Sequence, residues 1–287
     1  MKADIYQQVT DSIVSLIEAG KLGNGISWAQ DSAKGMPINL KTKAAYRGIN
    51  TLILWSAARA NGYASNSWLT YKQATDLGGQ IRKGEKGELC VFFKMLEIAD
   101  KKTEEERQVP MASPFWLFNL NQIDGIEGAV SQIARSEWEQ NESAEHILKS
   151  SGAKITEQGQ KAFYRPSTDE ITMPERGRFA SGKDFYSVAL HELTHWTGAK
   201  HRLNRDFSGR FGSQAYAFEE LVAELGAAFL NAEQGFAGSM IPDHAQYIDS
   251  WLKLLKSDKR AIFTAASQAS KAHSFIMSLV KVEQQAA

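Results

Sequence analysis

Five consecutive residues have the types and spacing that metal chemistry requires. His191 and His195 stand four positions apart, and Glu192 follows the first histidine directly, which gives the pattern H-E-x-x-H. On a helix, positions i and i+4 share one face, so both imidazoles can bind one zinc ion from the same side. Glu192 can then act as a general base on water held by the metal, which makes hydrolysis the leading hypothesis.

A catalytic zinc needs a third protein ligand and a position open to water. Glu220 lies in a long apolar pattern that predicts a second helix, and Glu224 follows one turn later on the same face. Because a buried carboxylate needs a metal or a partner, we predict Glu220 as the third ligand and Glu224 as an acceptor behind an imidazole. Glu219 fits a solvated helix face. His201 remains the alternative ligand, since the chain also satisfies H-E-x-x-H-x-x-G-x-x-H.

Periodic patterns around these residues predict an α+β protein of two domains. Helical periodicity covers residues 4–19, 48–60, 71–77, 129–150, 183–197, 215–233, 243–257 and 259–282, and strand patterns cover 87–98, 114–123, 161–165 and 170–173. We expect the first domain to span residues 1–125 and the second, mainly helical with a small sheet, to span 126–287. Residues 169–174 are predicted as an edge strand, either a plain one or one that pairs with an extended peptide substrate.

Composition restricts the class of protein. The single cysteine, Cys90, excludes an intramolecular disulfide framework, and its apolar neighbours predict that it is buried. The N-terminal helical pattern lacks the continuous apolar stretch of a signal peptide. No segment reaches the roughly 18 apolar residues that span a bilayer. We therefore expect a cytoplasmic protein without a membrane partner.

Positive charge and aromatic residues concentrate in the first third of the chain. Residues 34–94 hold ten lysines and arginines against three acids, although the chain as a whole carries 33 residues of each sign. Cations follow phosphates, and aromatic faces stack on unpaired bases without demanding a sequence. The pattern alone leaves two interpretations open, a solvated basic face, which is the commoner origin of such a charge excess, and binding of single-stranded nucleic acid. The candidate contacts are Trp68 and Tyr71 for stacking, and Arg47, Lys72, Arg82, Lys83 and Lys86 for phosphates.

The chain resembles the ArdC-type antirestriction proteins in strings spread over almost its whole length. These are PIN (37–39), AYRGIN (45–50), SWLTYKQATDLGGQIRKGEKG (67–87), HELTHWTG (191–198), RLNRD (202–206) and YAFEELVAELGAAFL (216–230). The resemblance implies an N-terminal domain that binds single-stranded DNA, related to one in plasmid primases. It also implies a C-terminal zincin-like metallopeptidase domain, similar in fold to the SprT/Spartan proteases of DNA–protein crosslinks. Such proteins are carried by conjugative plasmids and phages and are thought to protect entering DNA from host restriction.

The resemblance also implies roles for individual residues. His191 and His195 would bind the metal, Glu192 would be the catalytic acid and base, and Glu220 is the most natural third ligand. Zinc is the expected cofactor, and Mn²⁺ also tolerates two histidines and a carboxylate. The expected partners are single-stranded DNA and a restriction enzyme or another protein substrate. Two alternatives stay open: a DNA-binding protein whose metal is structural, and a general metallopeptidase with no role at DNA.

Overall fold

The computed structural model describes residues 4–21, 31–99, 106–126, 137–209, 213–235 and 247–286. The chain divides into two compact units. The first holds Met1–Val9 and Pro37–Val130, and the second holds Thr10–Met36 and Ser131–Ala287. Each unit combines helices with strands, which confirms the predicted α+β class. No helix among the described residues is long and apolar enough to cross a membrane.

The first unit is built on a four-stranded sheet in the order β1-β2-β5-β4. Its strands are β1 (Ile38–Asn39), β2 (Ser67–Leu69), β4 (Glu88–Ala99) and β5 (Glu106–Asn119), while β3 (Gln80–Ile81) and β6 (Ile123–Asp124) form a separate pair. Its helices are α2 (Ile49–Ala60) and α3 (Tyr71–Asp76). The predicted strands 87–98 and 114–123 are confirmed as the long hairpin β4–β5, except that the chain leaves β5 at Asn119 and enters a 3₁₀ turn.

The two faces of this sheet are covered by different elements. Helix α2 packs on one face, where Leu54 meets Trp68, Cys90 and Leu117. On the other face, Ala74 of α3 lies in a second cluster with Leu40, Leu69, Ile81 and Ile123. Cys90 is fully buried, as its apolar neighbours predicted.

Helix α3 begins where the sequence predicted. The Thr70 hydroxyl accepts a hydrogen bond from the Gln73 backbone N–H at 3.2 Å, and the Gln73 side chain accepts one from the Thr70 N–H at 3.0 Å. This reciprocal cap satisfies two backbone donors that the first turn cannot satisfy internally. It places Tyr71 and Lys72 at the start of a short helix, with their side chains exposed.

The second unit is mainly helical. Its helices are α4 (Glu137–Ser150), α5 (Gly182–Trp196), α6 (Gln214–Gln234), α7 (Ile248–Ser257), α8 (Ala261–Ala286) and the part of α1 (Ile5–Lys21) from Thr10 onward. Its core joins α5, α6 and α8 through residues such as Leu193, Leu230 and Ile276. Residues 129–136 of one predicted helix and 243–246 of another lie outside the described residues.

A three-stranded sheet in the order β7-β9-β8 completes this unit. Its strands are β7 (Lys154–Glu157), β8 (Phe163–Arg165) and β9 (Glu170–Met173). The prediction of an edge strand at residues 169–174 is wrong, because β9 pairs with β7 on one side and with β8 on the other. A strand hydrogen-bonded on both sides has no backbone groups left for a peptide.

Candidate metal centre and nucleic-acid interface

The H-E-x-x-H string lies in the last two turns of α5, a helix whose second half is buried throughout. Ser181 caps its N-terminus by accepting a hydrogen bond from the Asp184 backbone N–H at 3.3 Å. His191 is 3% exposed, Glu192 7% and His195 9%. Burial of three polar side chains on one helix requires partners for them, because each loses its hydration on folding.

Helix α6 supplies partners for the two histidines. His191 Nε2 lies 3.5 Å from one Glu220 oxygen, and His195 Nε2 lies 3.6 Å from the other. The two histidine Nε2 atoms are 3.1 Å apart. One ligand atom from each of these three residues therefore fits within 4.8 Å of the others, and all three side chains are buried.

The hydrogen bond behind His195 determines which of its nitrogens is free to bind a metal. His195 Nδ1 lies 3.0 Å from a Glu219 oxygen, and an ionised carboxylate can only accept, so Nδ1 carries the proton. When Nε2 of His195 is deprotonated, its lone pair faces His191 Nε2 and Glu220. Two imidazole nitrogens and a carboxylate oxygen that converge in this way suit Zn²⁺ and Mn²⁺. The residues present thus fit a divalent cation.

An arginine that the motif analysis did not single out holds Glu219 in place. Arg205 donates to the two Glu219 oxygens at 2.8 and 3.0 Å, to the Thr197 hydroxyl at 2.8 Å and to the Thr194 carbonyl at 2.6 Å. Its side chain is 3% exposed. Glu219 is itself 6% exposed, so the prediction that it lies on a solvated face is wrong. Glu224 lies behind the other histidine, with an oxygen 3.7 Å from His191 Nδ1.

The carboxylates make the centre attractive to a cation. Burial opposes protonation of His195, but the hydrogen bond to Glu219 and the charge of Glu220 outweigh it and raise the pKa of His195 to about 9. Burial also raises the pKa of Glu220, but the neighbouring His191 and His195 outweigh it and lower that pKa to about 2. The raised pKa of His195 reports a field that favours positive charge between the two helices, and the lowered pKa of Glu220 keeps its carboxyl group ionised.

Close packing of α5 on α6 sets the distance between the histidines and the glutamates. A Cβ added to Gly226 would lie 2.5 Å from Thr194 Cγ2 and 2.8 Å from Thr194 Oγ1. Any other residue at position 226 would therefore force the two helices apart. Glu220 lies less than two turns from this contact on α6, and Thr194 stands next to His195 on α5, so the contact acts directly on the centre.

His201 is held elsewhere. Its Nε2 lies 3.4 Å from an Asp169 oxygen and 2.6 Å from Arg202 Nη1, and its side chain is 64% exposed. The guanidinium of Arg202 binds Asp169 as well and lies over the Trp196 ring, 3.7 Å from its centroid. Among the described residues the metal-binding group holds His191, His195 and Glu220, and His201 is not part of it.

A cavity of about 540 Å³ borders this cluster. Glu192, Tyr216, Tyr247 and strand β8 line it together with the three cluster residues. The hydroxyls of Tyr216 and Tyr247 are 3.2 Å apart. Burial and this contact raise the pKa of Tyr216, so its phenol stays protonated. In the small sheet, strand β8 reaches the cavity and strand β9 does not. Strand β8 is an edge strand of this sheet.

The first unit exposes most of the predicted nucleic-acid contacts. Arg47, Tyr71, Lys72, Arg82, Lys83 and Lys86 all have exposed side chains. Arg82 is engaged locally, since it forms ion pairs with Glu85 at 3.3 Å and with Asp124 at 3.1 Å. The prediction for Trp68 is wrong, because this ring is 1% exposed and lies edge-on to Tyr63 in the core. A base cannot reach it.

One exposed tryptophan in the same unit, Trp116, was not predicted as a candidate contact. Trp116 of β5 is 53% exposed, comparable to Tyr71 at 57%. Its neighbours Phe115, Leu117 and Phe118 are all apolar, so no alternation of polar and apolar residues indicated which face of the strand meets solvent. The pairing of the strands supplies that information.

Two family models match separate parts of the chain. Residues 3–118 match the N-terminal domain of anti-restriction factor ArdC. Residues 142–268 match a zincin-like metallopeptidase. The second match contains both histidines and Glu220.

Solved structures resemble the whole chain. The metal-free crystal structure of the antirestriction protein ArdC from plasmid R388 is 40% identical, with a TM-score of 0.81, and the match covers 97% of this chain and 98% of that one. The Mn(II)-bound crystal structure of the same protein is 38% identical, with a TM-score of 0.80, over 96% of this chain and 98% of that one.

The curated relatives include one of similar length to this chain and two that are much longer. The uncharacterized protein y4eC of Sinorhizobium fredii is 46% identical over 93% of this chain and 90% of its own length. Two proteins of Escherichia coli, both named DNA primase TraC, are 38% identical over 96% of this chain. The chain spans only 20% and 27% of their lengths.

Proposed function

This chain belongs to the family of ArdC antirestriction proteins, and on that premise we propose that it binds single-stranded DNA and hydrolyses peptide bonds at a metal centre. Residues 1–125 bind the DNA, and residues 126–287 carry the peptidase. The protein acts in the cytoplasm on DNA that enters with a conjugative plasmid or phage and protects it from host restriction. A restriction enzyme or another DNA-bound protein is its substrate.

The observation that carries the peptidase proposal is the convergence of His191, His195 and Glu220 beside a cavity that Glu192 also lines. Three protein ligands next to open space are typical of a catalytic zinc, whereas structural zinc sites are closed by four. The Mn(II)-bound structure of the R388 protein supports a divalent metal in this fold. Zinc and manganese both suit the ligand set.

Each residue of the centre has a separate role. His191, His195 and Glu220 hold the ion, which when bound supplies Lewis-acid polarisation of a carbonyl and acidifies water. Glu192 accepts a proton from water and later delivers it to the leaving nitrogen. Glu219 fixes the tautomer of His195.

The cavity walls act on the substrate. The protonated phenol of Tyr216 donates into the cavity beside Glu220. An extended peptide pairs with the outer edge of β8, the role that the sequence had given to β9.

One experiment tests the proposed chemistry. Chelator-treated protein is reloaded with Zn²⁺ or Mn²⁺ and incubated with casein, with and without a single-stranded oligonucleotide. We expect the wild type to cleave casein or itself, and Glu192→Gln to bind the metal equally well but to lose cleavage. His201→Ala is the matched control and should cleave like the wild type. Cleavage by Glu192→Gln at the wild-type rate would refute the role of Glu192, and metal binding without any cleavage would favour a structural metal.

A second experiment tests the DNA partner. At about 100 mM salt, where phosphate contacts still hold, the full chain should shift a single-stranded oligonucleotide in a gel. Absence of a shift would favour a general metallopeptidase whose basic N-terminal surface is incidental.

A further inference from the structure

An aromatic row lies on one face of the N-terminal sheet. Trp116 and Phe118 are two residues apart on β5, so their side chains point to the same face. The ring of Phe118 packs edge-on to that of Tyr71, with 6.5 Å between centroids. Trp116 and Tyr71 are 53% and 57% exposed, respectively. Exposed aromatic rings of this size on a sheet are unusual unless they contact a partner.

A glycine on the neighbouring strand keeps this row open. A Cβ on Gly87 would lie 3.0 Å from Phe118 Cζ and 3.1 Å from Trp116 Cβ. Any side chain at position 87 would therefore displace one of the rings or cover it. The bare backbone at Gly87 lets both rings lie next to the strand with their outer faces free.

Three lysines lie close in sequence to residues of the row or to Gly87. Lys72 follows Tyr71 on α3, Lys86 precedes Gly87, and Lys83 lies in the turn before it. All three are exposed, and none forms an ion pair with another described residue.

The nearby acids are engaged in ion pairs or point away. Lys41 binds Asp76 at 2.8 Å, and Arg82 binds both Glu85 and Asp124. Glu88 pairs with Leu117, so it lies on the opposite face from Trp116. The row itself is apolar, and the nearby charges without an ion partner among the described residues include Lys72, Lys83 and Lys86.

We propose that Tyr71, Phe118 and Trp116 form a platform on which unpaired bases stack, with Lys72, Lys83 and Lys86 contacting the phosphates. The proposal rests on the proposed binding of single-stranded DNA and specifies the surface. Aromatic rings on a sheet surface are a recurrent way to hold unstacked bases, and stacking tolerates any sequence. A peptide would need acidic side chains opposite the lysines, whereas every nucleotide of a single strand carries a phosphate.

The test measures the affinity of the full-length protein for a fluorescently labelled oligothymidylate by anisotropy. Loss of one stacking residue costs about 1–3 kcal/mol per base, which is about 5- to 150-fold in Kd, so Trp116→Ala and Tyr71→Ala should each weaken binding by that factor. Phe92→Ala is the matched control. Phe92 is 54% exposed on the same hairpin, but it pairs with Ser113 and so lies on the face opposite Trp116. Its Kd should not change.

The outcomes separate this proposal from the proposed function. Wild-type binding that survives Trp116→Ala and Tyr71→Ala unchanged would overturn the platform while leaving DNA binding in place. Equal affinity for a duplex of the same length would also overturn it, since paired bases cannot stack on the row. No binding by the wild type would overturn both. Circular dichroism and an unchanged metal affinity verify that the variants fold.

Lysine variants test the proposed phosphate contacts independently. Lys72→Gln combined with Lys86→Gln should weaken binding to all sequences equally and reduce the slope of log Kd against log salt by about 2, that is, about 1 for each lost phosphate contact. An unchanged salt slope would remove these lysines from the interface.

Discussion

Replacement of Arg205 by methionine tests the idea that a buried ion pair positions the metal ligand His195. Methionine keeps an unbranched apolar stem and removes the guanidinium. The change deletes the contacts to both Glu219 oxygens and leaves that carboxylate buried, with His195 as its partner. Breaking a buried pair from one side costs about 3–5 kcal/mol, so the free energy of unfolding of the metal-free protein should fall by that amount.

The same change should weaken metal binding. Without Arg205, the Glu219 carboxylate can rotate, and the His195 ring loses its fixed orientation. Loss of such a supporting contact typically costs about 10- to 100-fold in metal affinity. Urea unfolding of chelator-treated protein gives the stability, and isothermal titration with Zn²⁺ or Mn²⁺ gives the affinity.

Arg202→Met provides the control. Arg202 is also buried, stacks on Trp196 and binds Asp169, but it does not touch the cluster. Its loss should destabilise the fold and leave the intrinsic metal affinity unchanged. Equal metal affinities for the Arg205 and Arg202 variants would refute the positioning role of Arg205.

Two further predictions concern packing and pH. In Gly226→Ala the new Cβ would clash with Thr194 and separate α5 from α6. We expect the free energy of unfolding to fall by about 1–3 kcal/mol and metal binding to weaken. Thermal unfolding measures the first effect, and metal titration measures the second. Asp169→Asn should lower the free energy of unfolding by at most about 1 kcal/mol at neutral pH, since Asp169 is partly exposed. Arg202 holds the pKa of Asp169 below its ordinary value, so this stability is present above pH 4 and is lost as the pH falls through the folded pKa. Urea unfolding of the wild type and of Asp169→Asn between pH 2 and 7 should show that their difference in free energy of unfolding vanishes at the acid end.

The local part of the metal site could be predicted from the sequence. His191, Glu192 and His195 lie within five residues, so helix geometry alone places them together. Glu220 was singled out as a carboxylate in an apolar helix, which needs a partner, and it lies beside both histidines. Glu224 was likewise predicted as an acceptor behind an imidazole. The role of Glu219 could not be predicted, because the sequence does not fix the rotation of α6 against α5. That rotation turns Glu219 toward His195 and Glu224 toward His191.

Long-range pairing explains the remaining differences. Whether Trp68 or Trp116 faces solvent depends on which strands pair and which helix covers each face. The local sequence does not indicate the outcome, because the buried Trp68 follows a serine and the exposed Trp116 lies in an apolar run. The central position of β9 comes from a strand order that does not follow the chain. Arg205 carries no local signal of its partner Glu219, because the two meet only after the chain folds back from α5 to α6.

The most direct test of the metal centre is a titration of chelator-treated protein with Zn²⁺ or Mn²⁺, followed by elemental analysis. The three-residue centre predicts one ion per chain for the wild type and for His201→Ala, with His191→Ala, His195→Ala and Glu220→Ala failing to retain it. Retention by Glu220→Ala together with loss by His201→Ala would contradict the assignment of the third ligand. A wild-type protein that binds neither ion would contradict the metal centre itself.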